Sequence, residues 1–120
     1  MAELKPDELL VVVVPEARAD DVVDFLIGRE ALSGFTRSAV AGFSRAHSRL
    51  SVREAVLGYR EQARFEVLGS AALLDALVRD MAGIAGRDRF RWWRLPLAGS
   101  GAIAAPAGDG SGDLTGQPGG

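Results

Sequence analysis

The feature that most constrains this chain is an order of elements met twice: strand, helix, strand, and then the same again. Leu9-Leu10-Val11-Val12-Val13-Val14 is an aliphatic, β-branched run closed by Pro15. Without polar alternation it predicts a strand covered on both faces and therefore central in its sheet. Residues 16–30 place Val22, Val23, Leu26 and Ile27 at helical spacing, with Asp20, Asp21 and Asp24 on the other side. Those acids sit toward the helix start, where the dipole favours them. Ser33-Gly34 breaks the chain, and residues 35–41 form a second strand.

In the second half Ala63, Phe65 and Val67 alternate with Gln62, Arg64 and Glu66, the pattern of a half-buried strand. Ser70 caps a helix whose apolar stripe is Leu73, Leu74, Leu77, Val78 and Met81. Gly83 and Gly86 end that helix, and residues 90–97 form a last strand. Pro96 cannot donate a ladder hydrogen bond, which places this strand at an edge. The double pattern predicts an α+β, ferredoxin-like βαββαβ sandwich, in which right-handed crossovers put both helices on one face of an antiparallel sheet. Trp92 and Trp93 then point to opposite faces, so one of them lies away from the helices. An apolar patch there predicts association into a homo-oligomer, unless the tail or a long side chain shields it.

Composition sets the limits. At 120 residues one domain is expected, since domains usually run ~100–200 residues. Residues 9–98 form the folding unit, residues 1–8 a frayed start, and the Gly- and Pro-rich residues 99–120 a largely disordered tail. Fourteen Lys and Arg against sixteen Asp and Glu give a net charge of −2, so no nucleic-acid partner is expected. Zero cysteines exclude a disulfide framework, a thiolate zinc site and a cysteine nucleophile. No apolar run approaches the ~18 residues of a membrane span, so direct membrane insertion is not expected. No leader pattern opens the sequence, and a cytoplasmic location is expected.

The two halves are joined by residues 42–60, far longer than the 2–5 residues of an ordinary hairpin loop. Within it Ser51-Val52-Arg53-Glu54 is a capping box. A short helix over Val52, Ala55, Val56 and Leu57 should follow and stop at Gly58. Charge is uneven: residues 37–64 hold six arginines against Glu54 and Glu61, while residues 1–30 hold eight acids against three bases. The planar arginine fork suits carboxylate and phosphate. The connection therefore reads as an anion-binding loop, with Arg45, Arg49, Arg60 and Arg64 as donors. It reads equally as surface charge, or as a partner for the acidic first helix of the same or a neighbouring chain. His47 is the only histidine. Arg45 and Arg49 would push its pKa downward if they stay close, and it is either a pH- or metal-sensitive contact or an ordinary surface histidine. The turn over residues 83–89 is a second anion candidate through Gly86 and Arg87, against the plainer reading of a helix C-cap followed by a turn. No catalytic motif is present, so no catalytic residue, metal site or cofactor is assigned.

Three segments carry a resemblance: Ser33-Gly34-Phe35-Thr36, Gly42-Phe43-Ser44-Arg45-Ala46-His47, and Leu50-Ser51-Val52-Arg53-Glu54-Ala55-Val56-Leu57-Gly58. Together with Phe65, Trp93 and Pro96 they resemble an uncharacterised bacterial family of PII-like proteins, domain of unknown function 3240, over about residues 9–97. The resemblance implies a trimeric, non-enzymatic regulatory or signalling protein with intersubunit clefts. Residues 42–60 would be its partner-contacting T-loop, and residues 83–89 would lie near its phosphate-binding turn. It also implies a membrane-transporter partner and, from the family's frequent place beside heavy-metal efflux genes, a metal-responsive accessory role as an alternative. A small-molecule enzyme on a dimeric ferredoxin-like barrel, with His47 or Tyr59 as acid–base, is the other alternative. The chain departs from the family's pattern at Phe43, where a histidine is usual, and after Gly86, where signalling members carry a lysine.

Overall fold

The computed structural model describes residues 6–44 and 50–106. Four strands form one antiparallel sheet: β1 (Glu8–Pro15), β2 (Thr36–Gly42), β3 (Arg60–Gly69) and β4 (Arg91–Pro96), in the order β2-β3-β1-β4. Helices α1 (Ala19–Ile27) and α3 (Ala71–Ala85) share one core against this sheet, and the short α2 (Val52–Leu57) lies in the connection between β2 and β3. This is the expected βαββαβ sandwich. The valine run is central, and β4, which bears Pro96, is an edge.

Pairing register sorts the side chains between two faces. Val12 stands opposite Phe65 on one side and Trp92 on the other, so these three share the helix-covered face. There Leu10, Val12, Val14, Ala63, Phe65 and Val67 meet Ala19, Val22 and Leu26 of α1 and Leu74, Leu77 and Met81 of α3, all buried. Phe65 is the largest fully buried side chain, and the Phe35 ring packs beside it with centroids 6.2 Å apart.

Four local details differ from the sequence reading. The first helix is shorter, because Pro15 offers no capping side chain and the chain opens with a single 3-10 turn over Glu16–Arg18. Its buried stripe runs through Ala19, Val22 and Leu26, which turns Ile27 out to 68 % exposure. The helix of the second half runs through Gly83 to Ala85 and ends at Gly86, whose φ of +60° breaks the helical path. Asp7 and Glu8 are not frayed. Asp7 trades backbone hydrogen bonds with Gly69 (3.0 Å) and Leu97 (2.9 Å), its carboxylate accepts from Ala71 N, and Glu8 receives Arg94 Nε at 2.6 Å. No helix among the described residues is long and apolar enough to cross a membrane.

Candidate functional site

From Ser51 to Glu61, the connection between β2 and β3 is tied by one carboxylate. Ser51 Oγ accepts from Glu54 N at 3.1 Å, while Glu54 Oε1 accepts from Ser51 N at 3.2 Å, completing the capping box. The other oxygen, Oε2, accepts from the backbone N–H of Glu61 and ties α2 to the start of β3. The Glu61 amide, and after it the Ser51 amide, hold the Glu54 carboxyl below its ordinary pKa, because both bonds favour the charged form. Arg53 adds a second tie through Nε to Glu61 Oε2 at 2.7 Å. Gly58 closes the helix in the left-handed region at φ +85°, as the sequence predicts. Tyr59 packs its ring on Phe43, centroids 5.5 Å apart. The helix buries none of its residues, leaving Val52 85 % and Val56 83 % exposed.

The arginines of the region have separate fates. Arg37 reaches from β2 to the acidic start of the first helical segment, 2.8 Å from Glu16 and 3.3 Å from Asp20. For this residue, pairing within the chain is what the structure selects. Arg64 pairs with Glu66 at 3.1 Å. Arg60 opens β3 opposite Gly42, close enough to Glu54 to favour its charged form. Arg45, His47 and Arg49 lie outside the described residues.

The turn after α3 is gripped from below by Arg18. Its Nε holds Asp21 Oδ2 at 3.0 Å, one terminal nitrogen holds Asp88 Oδ2 at 3.3 Å, and the other donates to the Ile84 carbonyl. The open groove here, about 450 Å³, is lined by Arg18, Asp21, Asp24, Phe25, Ile84 and Gly86. Two carboxylates, Asp21 and Asp24, stand on its wall, and its arginine is already engaged with Asp21 and Asp88. Gly86 shapes this turn through its positive φ of +60°. Arg87 and Arg89 are exposed and pair with no carboxylate among the described residues.

The helix-free face of the sheet joins these pieces. Register aligns Ser38, Arg64, Val13 and Arg91 in one cross-strand row, and Thr36, Glu66, Val11 and Trp93 in the next. Leu68, Leu9 and Leu95 form a third row. One end of this face is thus basic, with Arg60, Arg64 and Arg91. The other is apolar, with Leu68 and Leu95 near half exposed and Trp93 at 36 %. The basic end is where both the β2–β3 connection and the turn before β4 leave the sheet, from opposite edges. Within one protomer β1 and β3 separate them, so Arg60 and Arg64 do not join Gly86 and Arg87 in a single pocket. Arg91 was missed from sequence. Its signal was the two-residue period of β4, which puts it on the side of Trp93.

A family model described as Protein of unknown function (DUF3240) matches residues 5–104. Among solved structures, the chain is similar to a DUF3240 family protein from Shewanella baltica OS155, at 33 % identity and a TM-score of 0.68, covering 84 % of this chain and all of that one. It is also similar to CPII, a nitrogen regulatory PII-like protein from Thiomonas intermedia K12 whose structure holds ADP, AMP and bicarbonate. That likeness has 13 % identity and a TM-score of 0.60, covers 82 % of this chain and 97 % of the other, and shows a shared fold. No curated protein matches the chain.

Proposed function

Since the chain belongs to the DUF3240 family and has the PII-like fold, we propose that it is a PII-like regulatory protein that assembles through its helix-free sheet face, as a trimer, and holds a small anion where neighbouring copies meet. The observation that carries this reading is the division of that face. Its apolar rows, with Leu9, Leu68, Leu95 and Trp93, supply the contact. Its basic rows place Arg60, Arg64 and Arg91 at the rim from which the long connection emerges.

Burying an exposed leucine or tryptophan stabilises association by roughly 25 cal/mol for each Å² removed from water. The apolar rows thus favour a contact between copies, while charge-assisted bonds from the arginines select the ligand. A neighbouring copy brings its own turn, with Gly86 and Arg87, toward the Arg60–Arg64 edge, which joins the two groups that one protomer keeps apart. Arg45, His47 and Arg49 of the same connection extend the basic set. The anions found with CPII, namely ADP, AMP and bicarbonate, are the first ligands to try. The connection, with Val52 and Val56 turned outward, is the surface for a transporter-associated partner.

The test is native mass spectrometry of the full chain, alone and with each anion. A trimer that gains bound anion, and loses it in an Arg64→Ala/Arg91→Ala variant while staying a trimer, is the expected result. A monomer, or binding untouched by the double substitution, would overturn the reading.

A further inference from the structure

On the opposite side of the sheet, between α3 and β4, lies a cavity of about 280 Å³ lined by aliphatic and aromatic residues. Val12 forms its floor, Met81 and Ala82 one side, and Phe90 and Trp92 the other. Trp92 stands on the edge strand of the described sheet, and is 48 % exposed although it faces the helices. A large indole is thus left half in water over a groove that nothing in the described chain fills. The volume sits just under the ~300–1,000 Å³ of ordinary ligand pockets, which fits a small occupant.

Ala85 and Phe90 both line the groove, and only residues 86–89 connect them. Asp88, the one acid of that connection, is turned away to Arg18. Its two arginines, Arg87 and Arg89, are exposed and pair with no carboxylate among the described residues, whereas Arg18, Arg29, Arg37, Arg53, Arg64, Arg79 and Arg94 all do. Consecutive Cα atoms are ~3.8 Å apart, so Arg89 starts one residue from Phe90 of the groove wall. We infer that this groove is a binding site for a small amphipathic anion, its apolar body seated on Met81, Phe90 and Trp92 and its carboxylate or phosphate held by Arg87 and Arg89. The site is complete within one protomer. It shares Arg87 with the reading above but does not rest on it.

The experiment uses the full chain carrying Trp93→Phe, so that Trp92 is the sole indole, and follows its fluorescence during titration with octanoate, octanol and acetate. Octanoate is expected to give a saturable change, octanol to bind at least tenfold more weakly, and acetate to give none. Adding Arg87→Ala and Arg89→Ala should weaken octanoate at least tenfold and erase its advantage over octanol. Both positions are exposed, so folding is not at stake. No saturable change with octanoate, equal binding of octanol, or an arginine-free variant that binds as tightly would each overturn the inference. A monomer that still binds octanoate would sustain it while overturning the assembly proposed above.

Discussion

Glu54 shows how one side chain ties a short helix to the strand that follows it. Its carboxylate serves the Ser51 amide and, beyond the helix, the Glu61 amide. Glu54→Ala removes both acceptors. Deuterium exchange at the Ser51 and Glu61 amides should accelerate by about tenfold or less, since a lost cap typically costs ~1 kcal/mol. The sheet should keep its protection, and unchanged exchange at Glu61 would contradict the tie. Because the folded carboxyl lies below its ordinary value, its contribution is fully present above the unfolded pKa and is lost as pH falls through the folded one. The Ser51 and Glu61 amide resonances should therefore hold steady from pH 7 to about 5 and move only below the ordinary glutamate pKa of ~4.3. At the core, Phe65→Ala should cost ~3–5 kcal/mol in urea unfolding, because the ring is fully buried among aliphatic side chains and packs beside Phe35. A loss under ~1 kcal/mol would mean the site collapses around the deletion.

The elements were legible where their signals are local. The capping box at Ser51 and Glu54, the Ser70 cap and the alternation over Ala63, Phe65 and Val67 each act within a few residues, and each appears as expected. The end of α3 was not read correctly, because two glycines competed for it. Gly83 stays helical, while Gly86 alone takes the positive φ that stops the helix. Exposed Gly83 has nothing within 4 Å of the place a Cβ would occupy. Gly83→Ala should therefore raise stability by ~0.5–1 kcal/mol in chemical denaturation, since alanine loses less backbone entropy in a helix. A fall in stability would show that this turn of α3 needs glycine for another reason. The fate of the arginines was beyond local reading. Arg37 finds Glu16 and Asp20 about twenty residues away, and Arg18 finds Asp88 seventy residues away. Only the folded topology brings those charges together, so an equal split between internal pairing and ligand binding was as far as composition could go.

For the molecule as a whole, the assembly proposed above rests on the sheet face that neither α1 nor α3 covers. The period of two along β4 already separated Trp92 from Trp93. The registers add that Trp93 shares its row with Val11 and Glu66, and that the arginines gather one row away, around Val13. Because an assembled face would bury Trp93, a charge there opposes association while leaving the helix-side core intact. Trp93→Glu in the full chain, weighed by native mass spectrometry beside the parent, tests this most directly. The parent is expected to be a trimer and the variant a folded monomer, with a far-ultraviolet circular dichroism spectrum matching the parent's. A parent that is already monomeric, or a variant that remains trimeric, would contradict the proposed assembly.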